Sequence, residues 1–231
     1  MTALALVIWG TLVGLDLVSV PQMMIARPLV AGAGAGLLLG DVGAGLVVGV
    51  VLELFQYAIL PVGAVRYPEY GPATVAAVAV AHAGGGMAAA GGERGGVLVL
   101  GLGVLVGLIT AMAGGMSLHQ LRRLNARVVH AADSLLEEGD PRVLVRLHAA
   151  AIGRDAIRAA LVTGFGLGLA WMARFAVGTL TARDLALLDS VAVGAAFAAG
   201  AAGLLRIVGT GTQLRWLAAG LAGGVLTAWL A

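Results

Sequence analysis

Uncharged apolar runs dominate this chain, and the few charged positions fall between them. The longest runs, Gly95–Leu121 and Tyr70–Gly92, contain no Asp, Glu or Arg. Each exceeds the roughly 20 residues that a helix needs to cross the hydrocarbon. Shorter runs lie at Met1–Leu15, Pro28–Gly40, Val42–Leu60, Ala159–Ala173, Ser190–Leu205 and Trp216–Ala231, several interrupted by one charge. Pro28–Gly40 is too short to span, and such a piece predicts a re-entrant or broken helix. The pattern therefore predicts an all-α polytopic bundle, with about six or seven crossings and one or two half-helices.

The pattern changes between Ser117 and Arg158. Seven of the 14 arginines fall there, with five acidic residues. Arginine concentrated in a short loop predicts a cytoplasmic position. Leu118, Leu121, Leu124, Val128 and Leu135 recur at helical spacing among the charges. Gly139, Asp140 and Pro141 then supply a helix stop, an N-cap and a first-turn proline. The segment 117–158 is thus expected to be a cytoplasmic helical hairpin, packed under the membrane domain or docking a soluble partner. It separates N-terminal helices, 1–116, from C-terminal helices, 159–231, within one membrane domain.

Composition supports the membrane reading. Of 231 residues 60% are hydrophobic and 11% charged, with a mean hydropathy of +1.00. A soluble domain carries about 25% charged residues because its surface meets water. The net charge of +2 is too small and dispersed for nucleic-acid binding. The absence of cysteine excludes disulfides and thiolate chemistry in this sequence. Met1–Leu15 lacks a basic n-region and is not expected to be a cleaved signal peptide. Glycines recur every fourth residue at Gly10/Gly14, Gly32/Gly36/Gly40, Gly45/Gly49, Gly103/Gly107, Gly164/Gly168 and Gly220/Gly224, which predicts close helix contacts. The Gly-Ala-Gly-Ala-Gly run at 32–36 lacks the spacing and context of a dinucleotide loop.

Isolated charges in apolar sequence are the candidate chemistry, because an ionised side chain in lipid is costly. The first quarter holds Asp16, Arg27, Asp41 and Glu53. Pro21 and Pro28 bracket Gln22 and Arg27 and should break the helix there. Transporters bind substrate at such breaks. Asp41, after Gly40, reads as the N-cap of the next helix or as a site residue. Arg27 reads as a snorkelling side chain, a partner for Asp16, or a site residue. Glu53 and Gln56 share a helix face, and a carboxylate with an amide suits the hydroxyls of a sugar. The lesser alternative for Glu53 is half of a structural buried ion pair. Arg66 and Glu69 are expected to pair with each other, with Tyr67 and Tyr70 as interfacial anchors or stacking rings. His82 reads as a helix contact in preference to a proton relay. His119, His130 and His148 lack close carboxylate or histidine ligands in the sequence, so no metal site is expected. No nucleophile and base lie at a useful spacing, so no catalytic residues and no cofactor are expected.

Two ordered blocks resemble a known family. The first comprises Arg27-Pro-Leu-Val, Gly36-Leu-Leu-Leu-Gly-Asp41, Gly45, Gly49, Leu52-Glu-Leu54 and Pro61-Val-Gly-Ala64. The second is His130-Ala-Ala-Asp133 with Gly139-Asp140 and His148. Together they resemble the IIC subunit of the mannose/fructose/sorbose-type bacterial phosphotransferase system. The resemblance implies a multi-pass subunit of the inner membrane that carries a hexose with a IID membrane partner. A IIB subunit supplied through IIA would phosphorylate the sugar in the cytoplasm, and the subunits would assemble as an oligomer. It also implies a sugar site at Gln22, Arg27, Asp41 and Glu53, with Asp16 and Gln56 beside them. The segment between Asp16 and Arg27 and the loop Arg66–Tyr70 depart from the family pattern, which bears on sugar identity. An ion-coupled transporter and a non-transporting structural subunit are the alternatives.

Overall fold

The computed structural model of the chain describes residues 1–57, 59, 66–84, 99–208, 215 and 218. Among the described residues eight helices follow in order: α1 (Thr2–Asp16), α2 (Pro28–Leu39), α3 (Val42–Tyr57), α4 (Tyr70–Ala83), α5 (Leu100–His130), α6 (Asp133–Glu137), α7 (Pro141–Thr179) and α8 (Ala182–Val208). No strand occurs among the described residues. The all-α membrane bundle is as the sequence pattern requires. Pro61–Ala64, Gly220/Gly224 and, but for residue 218, the Trp216–Ala231 run lie outside the described residues.

Among these helices α5, α7 and α8 are long and apolar enough to cross a membrane, whereas α1, α2 and α3 are shorter. With 12 residues at about 1.5 Å each, α2 spans about 18 Å. That is little more than half of the roughly 30 Å hydrocarbon core, as expected for Pro28–Gly40. Proline starts α2 and Gly40, in the left-handed region at φ 75°, ends it. The chain then reverses directly into α3, and α2 and α3 form a tight antiparallel hairpin.

Glycine makes that hairpin possible. A methyl on Gly32 would strike the Gly45 carbonyl, one on Gly45 the Gly32 carbonyl, and one on Gly49 the Pro28 carbonyl at 2.8 Å. Backbone therefore rests on backbone. Gly34, between the two faces, makes room for the Trp9 indole, whose Nε1–H donates to the Ala31 carbonyl at 2.9 Å. The Gly-Ala-Gly-Ala-Gly run is a packing device. Gly10 and Gly14 admit Thr163 and Ala159 of α7 in the same way, and Gly103 meets the Ala77 carbonyl of α4. Among the described residues nothing lies within 4 Å of a methyl placed on Gly164 or Gly168, so there the fourfold spacing marks no contact between described helices.

The core lies along α4, whose Ala73, Val75, Ala77, Val78 and Ala81 are fully enclosed with Val48 and Leu52 of α3. The outer surface is apolar instead. Leu4, Ile8 and Leu12 of α1, Leu105, Ile109 and Met116 of α5, and Phe165, Trp171 and Phe175 of α7 are exposed. Such a surface fits lipid and not water.

The expected hairpin at 117–158 is built from the ends of membrane helices. Helix α5 runs unbroken from Leu100 to His130 and α7 from Pro141 to Thr179. At about 46 and 58 Å both outreach the hydrocarbon core. Gly139, at φ 77°, ends the connection, and the Asp140 carboxylate accepts from the Arg142 amide at 2.9 Å. Stop, cap and proline sit as the sequence predicts.

Candidate functional site

Among the described residues two charged assemblies stand out in the apolar bundle. The first lies at the open end of the α2–α3 hairpin. Arg27 caps the start of α2 and forms an ion pair with Glu53 near the end of α3. Because the helices run antiparallel, residues 26 apart in sequence meet. The Leu29 amide donates to the second Glu53 oxygen at 3.2 Å. The Arg27 guanidinium also lies over the Tyr57 ring, 5.6 Å from its centroid. Arg27 is 37% exposed and Glu53 13%, and Tyr57 is exposed as well. A carboxylate, a guanidinium and an aromatic face thus reach one accessible place. Tyr57 was not singled out in the sequence, although it follows Glu53 by one helical turn.

The remaining expected site residues behave differently. Asp16 is buried, and its two oxygens accept from the amides of Met23 at 2.6 Å and Ala26 at 3.0 Å. It therefore holds the turn that delivers Arg27, and the partner of Arg27 is Glu53 and not Asp16. Within that turn Met24 adopts φ 64°, a region costly for a residue with a Cβ. Gln22 is exposed and donates to the Leu17 carbonyl at 3.1 Å. Asp41 caps α3, accepting from the Ala44 amide at 3.0 Å, and lies 3.9 Å from His82 Nδ1. It stands one hairpin length, about 18 Å, from the Arg27–Glu53 pair. Gln56 turns inward, and its Oε1 is buried with no hydrogen-bond partner among the described residues. It lines a small cavity with Tyr67, Glu69 and Tyr70, of about 20 Å³, room for a water but not for a sugar.

The second assembly was not foreseen. Arg158 of α7 donates to both oxygens of Glu69, at 2.5 and 2.8 Å, through its two terminal nitrogens. Its Nε–H donates to Asp155 at 2.7 Å, and the Ser19 hydroxyl donates to the other Asp155 oxygen. Ser117 of α5 accepts a further Arg158 N–H at 3.3 Å. All three charged groups are buried. Glu69 fits because α5 carries Gly114 and Gly115, where a methyl would strike Glu69 Oε2 at 2.6 Å and the Tyr67 carbonyl. The Glu69 amide donates to the Ala111 carbonyl at 2.9 Å, which pins the loop to α5. So Glu69 pairs with Arg158 and not with Arg66. Tyr67 is no exposed anchor either; it is buried, and Arg122 donates to its hydroxyl at 2.9 Å. A signal for this assembly existed in the opposite charges of Asp155 and Arg158, three residues apart just before an uncharged run.

Outside these assemblies, His130 lies 3.5 Å from Asp133 in an exposed pair, so that histidine does have a close carboxylate. Between α5 and α7 lies an open apolar groove of about 620 Å³, whose lining includes Ser117 and Arg158.

Comparison with known proteins adds the following. The family described as the PTS system sorbose-specific IIC component matches residues 1–222. The sorbose-specific EIIC component of Klebsiella pneumoniae is 28% identical over 158 residues, 68% of this chain and 54% of that protein. Its counterpart in Lacticaseibacillus casei is 26% identical over 156 residues, 68% of this chain and 52% of that protein. The chain spans about half the length of the curated relatives it matches. A solved structure described only as a membrane protein superposes with a TM-score of 0.68 at 19% identity, over 99% of this chain and 94% of the other. The mannose transporter ManYZ, solved in complex with microcin E492, superposes with 0.59 at 19% identity, over 97% and 86%. The two structures share the fold.

Proposed function

Since the chain belongs to the family of phosphotransferase-system sorbose-specific IIC components, we propose that it is a sugar permease subunit whose hexose site is the Arg27–Glu53 end of the α2–α3 hairpin. The subunit sits in the bacterial inner membrane beside a IID partner. It delivers the sugar to the cytoplasmic side, where a IIB subunit supplied through IIA phosphorylates it. The relatives that it resembles are named for sorbose, and a ketohexose is accordingly the first substrate to try.

The observation that carries the site is the accessible pairing of Arg27 with Glu53 beside the Tyr57 ring. Sugar hydroxyls both donate and accept, so a guanidinium and a carboxylate together satisfy neighbouring hydroxyls. Each hydrogen bond contributes about 0.5–1.5 kcal/mol net, so several must converge. Asp16 and Asp41 act here as positioning residues, one for the turn before Arg27 and one for the start of α3. Gln56 has an unsatisfied oxygen one turn beyond Glu53 and becomes a further sugar ligand if its closed cavity opens. Gln22, on the exposed turn, lines the approach.

The experiment is uptake of labelled L-sorbose, fructose and mannose in cells making the chain with and without IID and IIB partners. Accumulation as sugar phosphate, dependent on both partners, is the expected result. Accumulation of free sugar without them contradicts the assignment and points to an ion-coupled transporter.

A further inference from the structure

The groove between α5 and α7 is apolar over most of its length and cationic at one end. Leu121 and Leu124 of α5 and Ile157, Leu161 and Phe165 of α7 line it. All but Leu121 are exposed. Its walls run from Ala113 to Leu124 and, antiparallel, from Phe165 back to Arg154, about 16 Å along each helix. That matches the hydrocarbon depth of one leaflet, about 15 Å. At about 620 Å³ the groove lies within the roughly 300–1,000 Å³ of ordinary ligand sites.

Gln120 and Arg154 stand at the end nearer the arginine-rich turn, which the distribution of arginine places on the cytoplasmic side. Arg154 is half-buried, and its Nε–H donates to Asn125 of α5 at 2.9 Å. Among the described residues nothing accepts from its two terminal nitrogens, the fork that grips a phosphate. Arg158 also lines the groove, but Glu69 and Asp155 occupy its guanidinium. Arg127 follows Leu124 by one turn on the same face of α5 and is exposed. Helix α5 carries three arginines and α7 five, against a single acidic residue, Asp155. That carboxylate is buried and bonded to Arg158 and Ser19. One end of the groove is therefore complementary to an anion, and the rest to an alkyl chain.

From this geometry we infer that the groove is a binding site for one anionic phospholipid of the cytoplasmic leaflet. One acyl chain lies between α5 and α7, and the phosphate sits on the Arg154 fork beside Gln120. Basic pockets between membrane helices on the cytoplasmic side hold anionic headgroups in this way. A zwitterionic lipid offers the same chain, but its cationic headgroup meets the arginine-rich end less favourably. The inference stands whether or not the chain carries a sugar.

Native mass spectrometry of the purified full chain tests it, with phosphatidylglycerol and phosphatidylcholine of identical acyl chains supplied in equal amounts. The wild type is expected to retain one phosphatidylglycerol in preference to phosphatidylcholine. Arg154→Gln should cut that preference at least about threefold, as the loss of one arginine beside an anionic headgroup predicts. Arg174→Gln removes the same charge from the exposed far end of α7 and should leave the preference intact. Equal retention of the two lipids by the wild type overturns the inference. So does a smaller fall in Arg154→Gln, or a comparable fall in Arg174→Gln. Should Arg154→Gln fail to fold, Ala113→Phe decides, because it fills the deep end of the groove and leaves every charge in place. Loss of the bound phosphatidylglycerol is expected there, and wild-type retention overturns the proposal. If Ala113→Phe instead breaks a dimer of the chain or a complex with another subunit, the groove is a protein interface and the proposal falls.

Discussion

Arg158 and Glu69, 89 residues apart, form a bidentate ion pair at 2.5 and 2.8 Å between α7 and the loop before α4. With Asp155, Ser19 and Ser117 the pair ties four parts of the chain together at a depth where water is scarce. In such a place each charge depends on the others.

Removing Arg158 alone should therefore be worse than removing the ion pair. Arg158→Met leaves two buried carboxylates without a cation, at a cost of about 3–5 kcal/mol. The double variant Arg158→Met/Glu69→Leu should recover part of that loss. Thermal unfolding in detergent checks the order; equal losses would show that the pair is not mutually dependent.

The glycines divide into two sets. Gly32→Ala forces a methyl against the Gly45 carbonyl and should destabilise by about 1–3 kcal/mol, as overpacking does. Gly164→Ala meets nothing within 4 Å among the described residues and should be neutral or stabilising by up to about 1 kcal/mol, because alanine favours helix. Melting temperatures of the two variants test the contrast.

Asp16→Ala should loosen residues 17–27 specifically, since it frees the Met23 and Ala26 amides. Hydrogen exchange is expected to rise in that turn and to stay unchanged in α5 and α7. Asp16→Asn, with one acceptor oxygen in place of two, should fall between. Exchange rising throughout the chain would argue for global destabilisation instead.

Much of the architecture was legible because lipid imposes simple rules. Uninterrupted apolar length marked α5 and the short α2, and Gly139-Asp140-Pro141 marked the turn into α7. Asp41 was legible as a cap from its place after Gly40. The pairing of charges was not. Arg27 could have met Asp16 or Glu53, and only the antiparallel reversal at Gly40 brings Glu53 beside it. Arg158 looked like one more arginine of a cytoplasmic loop. Its burial follows from α7 extending as one helix from that loop into the bundle, where Gly114 and Gly115 on α5 make room for Glu69. Spacing within a helix is readable from sequence; which helices meet is a property of the packed bundle.

The most direct test of the account replaces Glu53 with Gln and measures uptake of the transported hexose beside the amount of protein in the membrane. Glu53→Gln keeps the side-chain shape but removes the charge that holds Arg27 and one acceptor for sugar hydroxyls. The account expects uptake to fall at least about tenfold, the equivalent of 1.4 kcal/mol, at unchanged membrane abundance. Wild-type uptake by this variant would contradict the assignment of the sugar site to the Arg27–Glu53 end of the hairpin.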